Sequence, residues 1–141
     1  MKELNPDYIV AVAEQLSFVS AFLGGISATI LVTILVFTSK KKSVNWIVSS
    51  SALAACSLLI AVVASWRLLI ILHPDFPMPV DQGIVLVLWF GMLIGYSLGF
   101  LSLLASVGLS GWIRSKRDGI ITSAIALIAV LFFILVTPFG I

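Results

Sequence analysis

The sequence predicts an all-α integral membrane protein: four transmembrane helices in an antiparallel up-down arrangement, joined by short loops. Three observations predict it. Of the 141 residues, 61% are hydrophobic and 10% charged, whereas soluble domains run about half apolar and about a quarter charged. A chain this short keeps much of its surface in contact with solvent, and lipid is the solvent that accepts such a surface. The apolar residues also fall into four runs, each reaching the length of about 20 residues that carries a helix across the hydrocarbon core. Finally, the links between runs are too short for a domain, so consecutive spans are neighbours of opposite direction. The whole chain, residues 1–141, reads as one transmembrane domain.

The first span runs from about Leu16 to Thr38. Asn5-Pro6-Asp7 supplies a helix N-cap, a proline suited to the first helical position and an acid at the positive helix end. The helix is therefore expected to begin near Pro6, with residues 6–15 as an extension of the span. At 1.5 Å per residue it would measure about 50 Å, so its first two turns would stand outside the bilayer. The apolar stretch exceeds a signal-peptide core and the tail before it is acidic, so it reads as a retained helix.

The second span runs from about Val44 to Leu72, the third from about Gly83 to Trp112 and the fourth from about Ile120 to Thr137. Six of the eight Lys and Arg residues lie in two connections, Lys40–Lys42 and Arg114–Arg117. Basic loops stay cytoplasmic, which predicts both of these inside and both termini outside. Five of the six acids (Glu3, Asp7, Glu14, Asp75, Asp81) then fall outside. Trp46 and Trp112 sit near inner helix ends, and Trp66 and Trp89 near outer ends, as an interfacial aromatic belt. Short loops without targeting signals point to a prokaryotic inner membrane.

Within lipid, helices associate by close backbone approach, so small residues at spacing four mark packing or assembly faces. The third span carries Gly91, Gly95 and Gly99, continued by Ser102, Ser106 and Ser110. The first span carries two such rows: Ser20, Gly24 and Ala28, and Ser17, Ala21 and Gly25. Either kind of face can pack inside one subunit or join copies. Arg67 lies near the outer end of the second span and either snorkels to the interface or belongs to an outer charged cluster with Glu14, Asp75 and Asp81.

Chemistry-bearing patterns are sparse. Gly95-Tyr96-Ser97-Leu98-Gly99 spells G-x-S-x-G, but that motif needs a strand–turn–helix context with His and acid partners, and here it falls inside a span. His73 and Asp75 are two ligands at most, too few for a metal site. Cys56 is the single cysteine, which excludes an intrachain disulfide. No carboxylate occupies the middle of a span, and no phosphate-binding loop is present. The expectation is no enzyme, no cofactor, no metal and no nucleic-acid partner.

One resemblance covers the four spans. Ser20-Ala21-Phe22-Leu23-Gly24-Gly25 resembles the start of the pore-lining first helix of the Orai calcium channels. Phe90 through Gly95, with Leu98 and Leu101, is similar to the third helix of that family, and Ala52 to Leu72 with His73-Pro74 to its second. The resemblance implies a four-helix subunit whose first helices surround a pore in a homo-oligomer. Orai channels place a filter glutamate in that helix and their termini in the cytosol. Here no acid lies between Leu16 and Thr38, so no filter residue carries over, and the charge count gives the opposite orientation. A pore lined by the first span would be polar through Ser17, Ser20, Ser27, Thr29 and Thr33, and gated by dewetting. Two functions therefore stand: a homo-oligomeric, channel-like assembly, or a non-catalytic accessory subunit embedded among other membrane subunits. In both, the bilayer is the first partner.

Overall fold

A computed structural model describes residues 6–37, 42–73 and 81–136. The described residues form four helices: α1 (Pro6–Phe37), α2 (Lys42–Ile71), α3 (Gln82–Arg114) and α4 (Lys116–Val136). All four are long and apolar enough to cross a membrane. The 32 residues of α1 rise about 48 Å, more than the hydrocarbon thickness alone requires.

The helix ends follow from local chemistry. Pro6 opens α1 at a position where its missing N–H costs nothing. The last turn of α2 closes with the Leu72 N–H donating to Leu68 (2.9 Å) and the His73 N–H to Ile70 (3.3 Å). Asp81 caps α3. Its Oδ1 accepts the Gly83 N–H at 2.9 Å, and its carbonyl accepts Ile84 and Val85 at 3.1 and 3.2 Å. Ser115 alone joins α3 to α4. Its N–H donates to Gly111 at 3.3 Å and its carbonyl accepts the Gly119 N–H at 3.0 Å. Its hydroxyl accepts the Asp118 N–H at 3.0 Å, as an N-cap should.

The chain divides into two compact units, Met1–Ile26 with Ala55–Gly99, and Ser27–Ala54 with Phe100–Ile141. In the first unit, Ile9 and Ala13 of α1, Ala64 and Leu68 of α2 and Met92 of α3 form a buried cluster. Val12, Leu16, Leu69, Leu88 and Trp89 pack around it. Next to it α2 and α3 meet almost backbone to backbone. A methyl group on Gly95 would stand 3.0 Å from the Ser57 carbonyl oxygen and 3.2 Å from the Ala61 nitrogen. One on Gly99 would collide with the Leu58 side chain and reach its backbone nitrogen at 3.1 Å.

In the second unit α3 and α4 lie alongside each other. The Phe100 and Phe133 rings stack at 4.7 Å, a Gly108 methyl would meet Ala126 at 3.1 Å, and Gly119 packs under the Trp112 indole. Much of the rest of α4 is bare. Ile128, Leu131, Phe132 and Leu135 are all exposed, Leu135 by 80%.

Burial does not follow polarity: beside Ile47, Leu58, Leu68 and Met92, most fully buried positions are small. The fully buried positions include Ala13, Ala54, Ala61, Ser20, Ser27, Ser51, Ser65 and Ser106, whereas Phe18, Phe22, Trp46, Trp66, Phe90 and Phe132 are exposed. In water this would be a large aggregation-prone surface. In lipid it is the expected arrangement, since small residues bring backbones together and large apolar ones face acyl chains. The chain is a membrane-integral protein by this sorting and by its four spans.

Candidate functional site

The two small-residue rows of α1 have different surroundings. Ser20 and Ser27 are fully buried, and Gly24 faces the Leu58 Cβ at 3.6 Å. The other row is open. Ala21 and Gly25 are exposed and Ser17 is half-buried, and a methyl group on Gly25 would meet nothing within 4 Å. In the second unit Thr29 and Thr33 continue the same spacing of four, both exposed, with Ala28 beside them. The uncovered positions of the first unit are thus Ala21 and Gly25, with Ser17 half-buried one turn before them and the exposed rings of Phe18 and Phe22 alongside.

This arrangement distributes the polar residues expected for a pore. Ser20 in the first unit and Ser27 in the second are fully buried, which removes them from any surface α1 offers outward. Ser17, Thr29 and Thr33 remain on it. The Thr33 hydroxyl donates back to the Thr29 carbonyl at 2.7 Å, so its hydrogen is satisfied within the helix while its oxygen can still accept. The Ser20 and Ser51 hydroxyls are buried with no hydrogen-bond partner among the described residues, whereas Ser65 and Ser106 bond back to Ala61 and Leu103.

The stripe on α3 is also divided. Gly95, Gly99 and Ser106 are buried and Ser102 is half-buried. Gly91 is open, with nothing within 4 Å of its added methyl. Four-residue spacing alone does not separate it from Gly95.

At the first-unit ends of α1 and α2, Asp7, Val10, Ala11 and Glu14 face Leu69, Leu72 and His73 across a groove of about 470 Å³. Asp7 and Glu14 stand two turns apart on one side of α1. Arg67 does not line this groove. It is exposed, as is Glu14, and among the described residues no ion pair joins Arg67 to Glu14 or Asp81. Asp81 serves as the α3 cap. Asp75 lies outside the described residues, and with it the pairing of His73 and Asp75. Among the described residues no group of three or more His, Cys, Asp or Glu is placed to hold a metal.

Sequence reading did not find the polar junction of α3 with α4. The Trp112 indole donates to the Ser123 hydroxyl at 3.1 Å, which donates to the Gly108 carbonyl at 3.2 Å. The Thr122 hydroxyl lies 2.9 Å from the same carbonyl and 3.0 Å from that of Asp118. Glycine is required here, because a methyl on Gly111 would strike the Thr122 hydroxyl and stand 2.6 Å from the Asp118 oxygen. The signal available was the cluster Gly108, Gly111 and Gly119 around a tryptophan. The junction holds two helices together.

No protein-family model, curated protein or solved structure matches this chain.

Proposed function

We propose that this protein assembles with copies of itself in a membrane and that α1 of each copy faces a shared permeation path. One observation carries the reading: in the first unit Ala21 and Gly25 are uncovered with Ser17 half-buried, and in the second unit Thr29 and Thr33 are exposed. A helix face that meets only acyl chains has no need of glycine and hydroxyls, and α4 shows the alternative with Ile128, Leu131, Phe132 and Leu135. Small residues let a second backbone approach, and the flanking Phe18 and Phe22 rings give a neighbouring copy ridges to pack against. The likeness of the first and third helices to those of Orai channels supports the same class of assembly.

In this reading the spans alternate in direction and both termini lie on the non-cytoplasmic side of a prokaryotic inner membrane. The charge sorting of the connections supports it. The path is narrow in polarity. Ser17, Thr29 and Thr33 are its hydroxyls, Ala21 and Gly25 its small apolar positions, and dewetting is its gate.

Cysteine accessibility tests this directly. In a Cys56→Ala background, Thr29→Cys should react with a membrane-impermeant thiol reagent in the reconstituted protein, and Ile128→Cys should not. Equal protection of both would show that no water reaches α1. The competing role, an accessory subunit, places another polypeptide's helix on the same face. It predicts protection of Thr29→Cys only when that polypeptide is present.

A further inference from the structure

We propose that the turn between α3 and α4 docks the headgroup of an anionic phospholipid, held by Lys116 and Arg117. Both side chains are exposed, so packing does not account for them. They are the first two residues of α4, where the helix end is itself positive and repels cations. Asp118 in the same turn offsets part of that repulsion, and an external anion on the exposed, outer side of the two cations offsets more of it.

The surroundings select the kind of anion. Trp112 is exposed one turn before the junction, and Ile120 and Ile121 are exposed one turn after it. The cations thus border an apolar surface, so the complementary ligand carries a negative group on an apolar body. A phospholipid has that form; a free phosphate or a nucleic acid lacks the acyl part. The adjoining pocket of about 330 Å³ is lined by Asp118 with Ser110, Gly111, Ile121 and Thr122. Its carboxylate disfavours an anion inside, which leaves the phosphate on the outer, basic edge.

The platform is fixed before binding. Ser115 caps α4, the Thr122 hydroxyl bonds across the junction, and Gly119 sits against the Trp112 ring. Little backbone freedom remains to be lost when a headgroup docks. The site requires only that α3 and α4 cross a bilayer, and it does not depend on the assembly proposed above.

The test uses the full chain in nanodiscs of equimolar phosphatidylglycerol and phosphatidylcholine, extracted with mild detergent, with co-purifying lipids counted by mass spectrometry. The wild type should retain phosphatidylglycerol in excess. Lys116→Gln with Arg117→Gln should reduce that excess, by up to about 25-fold for the headgroups this pair holds, since each interfacial basic residue contributes about fivefold; Lys40–Lys42 and Arg114 keep their own share. The exchanged pair Lys116→Arg with Arg117→Lys should keep it, and circular dichroism confirms that each variant folds. Raising the salt to 0.5 M should weaken the preference by screening. An unchanged preference in the double Gln variant, or none in the wild type, overturns the proposal.

Discussion

Trp112 donates its indole N–H to the Ser123 hydroxyl at 3.1 Å, and Ser123 passes its own hydrogen to the Gly108 carbonyl. This relay ties α3 to α4 through their side chains. Interhelical hydrogen bonds of this kind contribute modestly in membranes. Trp112→Phe and Ser123→Ala should each destabilise the protein by about 0.5–1.5 kcal/mol. The double variant should cost less than the sum, because the two remove one relay. Unfolding in mixed micelles measures this.

The glycines of the junction should be far less tolerant. Gly111→Ala brings a methyl against the Asp118 carbonyl, and Gly119→Ala brings one against the Trp112 ring. Each should cost about 2–3 kcal/mol by overpacking. Gly91→Ala meets nothing and should stabilise by about 0.5–1 kcal/mol through helix propensity. Equal effects at the three positions would refute the packing described for α3 and α4.

These contrasts mark where sequence reading reaches its limit. Four helices were legible because a run of about 20 apolar residues has few other fates. The orientation of each helix was not. In a soluble helix one face is polar and identifies itself, whereas here Ser20 and Ser17 lie three residues apart on an apolar helix and spacing treats them alike. The same ambiguity joined Gly91 to Gly95. Small residues announce that close packing occurs, and only the neighbours, Leu58 for Gly24 and Ser57 with Ala61 for Gly95, decide which face does it. The α3–α4 junction escaped because Thr122 and Ser123 are ordinary residues whose acceptor, the Gly108 carbonyl, leaves no side-chain signature.

Folding and assembly should separate along α1. Gly25→Leu places a large side chain on the open face, so the helices should still form, with stability unchanged or raised by up to about 1 kcal/mol through helix propensity, while assembly is lost. Gly95→Leu pushes a side chain into the Ser57 carbonyl and should impair folding itself. Size-exclusion profiles read beside circular dichroism distinguish the two. Loss of folding in Gly25→Leu would mean that its face is packed within the chain.

Arg67 and Glu14 are both exposed and share no ion pair, so Arg67→Ala and Glu14→Ala should each shift stability by less than about 0.5 kcal/mol. Their double-mutant coupling should be near zero. A coupling of about 1 kcal/mol or more would place the two side chains in contact in the membrane.

The mass of the particle purified from cells expressing this chain alone, in detergent or nanodiscs, tests the central claim most directly. A single oligomer of four or more copies, reduced to monomer by Gly25→Leu, is the result predicted from the open row of α1. A monomeric wild type, or a particle stable only with other polypeptides bound, would contradict it.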